Sequence, residues 1–382
     1  MNLSWESAES HLLLNPSYTE QERVGFQCIL KDAVAWPGHI WLSTSGSSVL
    51  KWVGLSKQAL LASAEAVNKH LESCKEDRWV NALPSFHVGG LGIWARGYLS
   101  GARVYDFKQV CPGKWRAEDF YHYILHTKGT LTSLVPTQLH DLVVLRIQAP
   151  SSLRVVVLGG GSLHQSVYEQ AIALGWPVLP SYGMTECASQ VATAPLGSWK
   201  YPKLPFLQLL THMQGCQREG RLCFAGSSLL STYAYFEDNH VQFVDPKVNG
   251  WFMSEDRGSI MNGQVNIVGR ADAIFKVGGE NVDLSRLETH LQTLRLQLSI
   301  VAEVTLIAVP DSRLGHSIHL ASNSPHKEQC SLLIQQFQKT VLPFERIRKM
   351  YLLKQLPRSS LGKILKGELM TLISSCIAID PE

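Results

Sequence analysis

The stretch Leu153-Arg154-Val155-Val156-Val157-Leu158-Gly159-Gly160-Gly161-Ser162 decides how the rest of this chain is read. Its apolar half is a buried strand, and the glycines close that strand in a tight turn. A helix is expected over 164–174, stopped by Gly175, and Val178-Leu179 opens the next strand. Working outward, strands and helices alternate from about residue 39 to 180. Strands are expected at 40–42, 79–83 and 130–135, with helical residues at 120–125 and from Pro136 to Leu145. Ser56 can N-cap a helix whose apolar stripe is Leu60, Ala64, Val67 and Leu71. Such alternation implies an α/β fold with a layered, largely parallel sheet.

The character changes beyond that region. Short β-patterned pieces separated by Gly, Asn and Asp run from about 217 to 269 and read as a β-rich subdomain with hairpins. After Gly269-Arg270 come helices at 284–296, 332–340 and beyond Lys363, and strands at 304–309, 318–321 and 350–353. The expected organisation is a large N-terminal domain over 1–270 and a small, mobile α+β domain over 271–382.

Composition bounds the function. The 382 residues are 45% hydrophobic and 18% charged, as in an ordinary globular protein. A net charge of +3 gives no reason to expect nucleic acid or a membrane surface as partner. Basic residues do collect between Pro343 and Lys366, where seven stand against the single acid Glu345. That segment is either a solvated face or a surface for a polyanionic small molecule. No signal peptide is visible at Met1–Glu6, and no apolar run approaches the ~20 residues of a membrane span. The eight cysteines form no C-x-x-C or zinc spacing, and the 14 histidines form no H-E-x-x-H. A reduced, cytoplasmic setting without a structural metal is expected.

Several segments carry chemistry-bearing residues. Thr44-Ser45-Gly46-Ser47-Ser48 with Lys51 follows the strand at 40–42. Hydroxyls, backbone N–H groups, one Gly and a Lys suit phosphate oxygens, though taken alone such runs are usually plain loops. Gly159-Gly160-Gly161 lets a flat ring or a phosphate lie against backbone at a strand end, or simply turns the chain. Ser181-Tyr182-Gly183-Met184-Thr185-Glu186 offers in one turn an aromatic face, a hydroxyl and a carboxylate, the set that a nucleotide with Mg2+ needs. Gly250 to Gly258 sets Asp256 on a β-turn, where a carboxylate can accept from a ribose diol. Arg270 can clamp ribose or phosphate, Asp272 can act as a hinge, and Lys276 precedes Gly278-Gly279-Glu280-Asn281. Pro357-Arg358-Ser359-Ser360-Leu361-Gly362-Lys363 is a flexible loop carrying a lysine that could stabilise charge at a phosphoryl centre. Each has a bland reading as loop, turn or surface residue.

In this order and spacing the segments resemble the acyl-adenylate-forming superfamily of acyl-CoA synthetases, peptide-synthetase adenylation domains and luciferases. The family patterns S/T-G-rich loop with Lys, Y-G-x-T-E, G-W-F-x-x-x-D-x-G, G-R-x-D…K…G and P-R-x-x-x-G-K span residues 40 to 370. Leu83-Pro84-Ser85-Phe86-His87-Val88-Gly89-Gly90-Leu91, with Arg96 further on, and Lys276 to Val282 are similar to the o-succinylbenzoate–CoA ligases of menaquinone and phylloquinone synthesis.

The resemblance implies an AMP-forming acid–thiol ligase using ATP, Mg2+ and coenzyme A. The acid carboxylate would attack the α-phosphate, pyrophosphate would leave, and the CoA thiolate would then attack the adenylate. Glu186 would hold Mg2+, residues 44–51 the outer phosphates, and Thr185 the α-phosphate. Tyr182, Gly183 and the turn with Gly160 and Gly161 would flank adenine. Asp256 and Arg270 would take ribose, and Lys363 would bridge acyl and phosphate oxygens. The small domain would rotate about Asp272, bringing Lys276 in. His87 would line the acyl pocket, and Arg96 would meet the second carboxylate of o-succinylbenzoate. Family members usually carry a longer N-terminal region, and short cyanobacterial-type ligases fit this chain better. That leaves the oligomeric state open, a homodimer included. The loop at 44–51 also lacks the family's second Gly and its Pro. Rival readings are a CoA ligase for another aromatic or medium-chain acid, and a degenerate member that binds nucleotide without turnover.

Overall fold

The computed structural model describes residues 3–43, 51–112, 115–237, 240–360 and 362–380. The chain divides into two compact units. The larger comprises Met1–Arg218, Leu222–Met253 and Ser259–Asn266, and the smaller comprises Glu219–Arg221, Ser254–Gly258 and Ile267–Glu382.

In the larger unit the opening stretch behaves as read. Val155–Leu158 is a fully buried strand lying parallel to Leu131–Leu134 on one side and to Val178–Met184 on the other. Arg78–Asn81 and Arg103–Asp106 extend the parallel array to its edge. Beyond Val178–Met184 the pairing turns antiparallel through Ser189–Thr193 and Leu207–Leu209. Helix Lys57–Leu71 starts at Ser56, whose side chain accepts from the Ala59 N–H at 3.0 Å. Its Ala66, Val67 and Leu71 pack on Leu131, Val155, Val157 and Leu179, burying the sheet face that the βαβ pattern demands. Leu60 and Ala64 reach a second core.

That second core corrects the reading of residues 40–42. His39–Ser43 is not a member of the parallel sheet. It pairs antiparallel with Lys51–Ser56 and parallel with His11–Leu13 in a separate sheet that also holds Thr232–Glu237 and His240–Val244. Alternation along these strands explains the placement. Ile40, Leu42, Val53 and Leu55 face the core shared with Leu60 and Leu91. Trp41 and Trp52 face the opposite way, onto Phe26 and Ile29 of helix Glu20–Asp32. The β-patterned pieces of 217–269 fall in two different sheets.

In the smaller unit a sheet runs in the order Glu280–Asp283, Ile274–Val277, Gly315–Ser322, Val304–Asp311, with Ile347–Leu352 parallel to Gly315–Ser322. Leu306 and Leu320 face helices Leu284–Gln297 and Lys327–Gln338 through Leu287, Leu291, Leu333 and Phe337. Ile307 and Ala321, one residue on, face helix Lys366–Ser374 through Leu369 and Ile373. Among the described residues no helix is long and apolar enough to cross a membrane.

Candidate functional site

The parallel strands end on one side of their sheet, and the polar segments follow those ends. Gly159, Gly160 and Gly161 come after Val155–Leu158, and Gly160 has φ +82°, which favours glycine. His87 follows the Arg78–Asn81 strand and occupies the N-cap position of helix Val88–Ser100, with the Phe86 ring 4.6 Å away.

The Tyr182 segment is not the turn expected. Strand Val178–Met184 continues through Tyr182 and Gly183 and pairs antiparallel with Ser189–Thr193. The two backbones close so tightly that a Cβ on Gly183 would lie 1.9 Å from the Ser189 carbonyl oxygen. This glycine therefore has a packing reason. Tyr182 stacks obliquely against Phe224 at 6.0 Å. The actual turn is the 3-10 segment Thr185–Cys187, followed by two residues at positive φ, Ala188 (+52°) and Ser189 (+105°). Residues without glycine's freedom hold such angles only when their surroundings fix them.

Both ends of that strained turn carry a side-chain contact to a distant element. At one end Glu186 accepts a hydrogen bond on Oε1 from the Tyr233 hydroxyl at 2.9 Å, and Lys51 Nζ stands 3.4 Å from the same oxygen. Lys51 also lies over the Tyr233 ring, 4.2 Å from its centroid. Burial, and then the Glu186 charge, push the Tyr233 phenol far above its ordinary value. At the other end Ser189 Oγ accepts from Arg96 Nη2 at 3.3 Å. Arg96 is only 2% exposed and lies near the Trp79 ring, 5.5 Å from its centroid. Its Nε has no hydrogen-bond partner among the described residues, and burial pushes the guanidinium down to about 10. Nine residues of helix, ~13 Å of axis, separate His87 from Arg96.

Thr44, Ser45, Gly46, Ser47 and Ser48 lie outside the described residues. Lys51 does not end a loop but begins strand Lys51–Ser56. Glu186 Oε2 makes no hydrogen bond among the described residues. A single carboxylate with one oxygen to spare fits Mg2+, which keeps most of its shell as water and phosphate oxygens. Among the described residues no three His, Cys, Asp or Glu side chains gather as a metal site. Tyr233 was not singled out from the sequence. Its only local signal is the alternation Thr232-Tyr233-Ala234-Tyr235, and Tyr235 packs 6.0 Å from Tyr233.

The smaller unit gathers another set. Arg270 donates from Nε and Nη2 to the two Asp272 oxygens at 2.8 and 2.6 Å, and its Nη1 is 3.6 Å from Asp256. Asp256 is not on a turn but within strand Phe252–Met261. Desolvation by its surroundings holds the Lys363 ammonium below its ordinary value, Arg270 adds to this, and Asp256 opposes it. The Lys363 loop is closed rather than slack: Ser359 N–H donates to the Lys363 carbonyl at 2.7 Å, and Arg358 pairs with Glu303 at 2.5 Å. Lys276 is exposed on hairpin strand Ile274–Val277, opposite Asn281, and Gly278 and Gly279 turn that hairpin.

Polar groups beyond the ends of parallel strands, a carboxylate paired with a lysine and a separate buried arginine define an α/β protein with groups suited to anionic ligands. The particular class follows from known proteins. A family model described as AMP-binding enzyme matches residues 41–234, just over half of the chain, and the chain belongs to that family. It is 29% identical over 331 residues to the 2-succinylbenzoate–CoA ligase of Bacillus cytotoxicus, covering 82% of this chain and 65% of the relative. The Bacillus subtilis (strain 168) enzyme of that name is 29% identical over 308 residues, 77% of this chain and 60% of its own length. The chain thus spans less than two thirds of these relatives. The structure of E. coli MenE with bound OSB-AMS superposes with a TM-score of 0.70 at 26% identity, covering 87% of this chain and 68% of that one. B. subtilis o-succinylbenzoate CoA synthetase with its acyl-adenylate OSB-AMP gives a TM-score of 0.73 at 23% identity over 97% and 79%, a likeness of fold.

Proposed function

We propose that this chain is an AMP-forming acid–CoA ligase that converts 2-succinylbenzoate to its CoA thioester through an acyl-adenylate, in the cytoplasm and on the route to menaquinone or phylloquinone. The observation that carries the substrate is Arg96. A guanidinium 2% exposed, with no carboxylate partner and no Nε partner among the described residues, is a costly feature. A substrate with one carboxylate to spare satisfies it, and the curated relatives are named for such a diacid.

In this reading one carboxylate of the substrate lies toward Arg96 and the other reaches the α-phosphorus. The strained turn at 185–189 fixes the two ends of the substrate, because Ser189 contacts Arg96 and Glu186 faces the phosphates. The carboxylate oxygen forms the new bond to phosphorus as the bond to pyrophosphate breaks. Lys51, residues 44–48 and Lys363 neutralise charge on the phosphates, and Thr185 donates to them. Glu186 holds Mg2+, which offsets phosphate charge. Tyr182, Gly183 and the 160–161 turn flank adenine, and Asp256 and Arg270 hold ribose. His87 lines the acyl pocket. The smaller unit, hinged at Asp272, then exchanges Lys363 for the Lys276 hairpin. The CoA sulfur attacks the acyl carbon, and AMP leaves.

A pyrophosphate-release assay with ATP, CoA and 2-succinylbenzoate tests the activity. Arg96→Ala should raise KM for the diacid strongly and leave benzoate or octanoate little changed. No release with any acid would leave nucleotide binding alone. Light scattering reports the oligomeric state, with a homodimer one of its outcomes.

A further inference from the structure

Glu186 is gripped from a distant segment of the chain. The Leu230 N–H donates to the Glu186 carbonyl at 2.8 Å, and the Tyr233 hydroxyl donates to its carboxylate at 2.9 Å. Thr232–Glu237 is itself seated against Lys51–Ser56, with Tyr233 opposite Val53 and Tyr235 opposite Lys51. That register lays the Lys51 ammonium on the Tyr233 ring. One side chain, 6% exposed and so held in place, thereby touches both the carboxylate and the lysine.

We infer that Tyr233 is a positioning residue for Mg·ATP: its hydroxyl fixes the Glu186 carboxylate with one oxygen presented for the cation, and its ring face parks Lys51 beside the phosphates. The inference rests on the ligase reading for the identity of the nucleotide. Without the hydroxyl, Glu186 keeps only Lys51 at Oε1, and the carboxylate can turn toward that ammonium. The cation then competes with the lysine for the same group. Partners that orient a metal-holding carboxylate typically matter about 10- to 100-fold in metal affinity.

Tyr233→Phe isolates the hydroxyl, because it keeps the ring under Lys51 and the packing. ATP binding is titrated calorimetrically at a series of Mg2+ concentrations and again in EDTA, with thermal melting as a folding control. The expected result is about a tenfold rise in the Mg2+ concentration for half-maximal ATP binding. ATP affinity in EDTA, KM for the acid and the melting temperature should stay near wild type. Tyr233→Leu, which also removes the ring face, should weaken ATP binding in EDTA as well. A Tyr233→Phe protein with wild-type Mg2+ dependence overturns the inference while leaving the ligase reading intact. So does one that loses Mg2+-bound and Mg2+-free binding equally, which is the mark of a packing role. A wild-type protein that binds no Mg·ATP overturns the ligase reading and the inference with it.

Discussion

The carboxylate of Glu186 and the guanidinium of Arg270 are both paired, but the two clusters are built on opposite principles. Around Glu186 the partners come from far along the chain, Lys51 and Tyr233, and the side chains are largely covered. Around Arg270 the main partner is two residues away, and both members of the pair are half exposed. Covered charges feel a lower dielectric, so each contact there carries more energy and less freedom. An exposed pair such as Arg270–Asp272 adds little stability and exchanges partners easily. The larger unit thus holds its charges in a fixed array, while the smaller unit keeps its main pair exposed and exchangeable.

Glu186→Gln attacks the fixed array most directly. It removes the charge facing Lys51 and the proposed cation, and pyrophosphate release should fall about 1000-fold. A loss under tenfold would mean that the covered cluster is merely structural. Lys363→Ala attacks the mobile set. Pyrophosphate release should fall about 100- to 1000-fold, while thioester formation from supplied acyl-adenylate is spared. Equal loss in both half-reactions would show that Lys363 does not act in one step only, and the contrast between the clusters would fail.

Legibility in the sequence follows the same division. The contact between Arg270 and Asp272 is local, across one residue, and so lies within reach of a sequence window. Glu186 was readable as a residue type, but its grip was not. Tyr233 reaches it only because Thr232–Glu237 pairs with Lys51–Ser56, a non-local choice that no window of sequence reports. The parallel sheet was visible from its buried runs, above all Val155–Leu158. The second sheet was missed because Lys51 was read as the end of a phosphate loop and Ser56 as a helix cap, so the strand Lys51–Ser56 between them went unread. Helix Glu20–Asp32 did leave a mark, the Thr19…Glu22 capping box, in which Thr19 N–H donates to Glu22 at 2.7 Å.

Acid distinguishes the smaller unit's core from its site. His319 is buried between Ser317 Oγ at 2.9 Å and the Tyr351 hydroxyl at 3.3 Å, and burial pushes it down to about 4. The unfolded chain therefore takes up the proton first. Stability is fully present above pH ~6.5 and is lost as pH falls toward 4, by about 3 kcal/mol at most. Melting curves at pH 7.5 and 4.5 measure this, and His319→Gln should flatten the acid limb. An unchanged limb would place the acid sensitivity elsewhere, with His212 of the larger unit, also held down to about 4 by burial, as the next residue to replace.

Arg96→Met sharpens the comparison further, because stability and function should move in opposite directions. Among the described residues no carboxylate pairs with the guanidinium, so an apolar side chain of similar length removes a desolvation cost, and the melting temperature should rise slightly. KM for 2-succinylbenzoate should rise about tenfold with kcat less affected, since the lost interaction binds the part of the substrate that does not react. Arg270→Ala is the smallest expected effect on stability, under about 1 kcal/mol, because its main partner Asp272 is half exposed and remains solvated, and Asp256 stands farther off at 3.6 Å. Denaturant unfolding of the two variants side by side decides the matter. If Arg270→Ala destabilised the protein by several kcal/mol, its pairing with Asp272 and Asp256 would be structural. The smaller unit's charges would then be as fixed as those around Glu186.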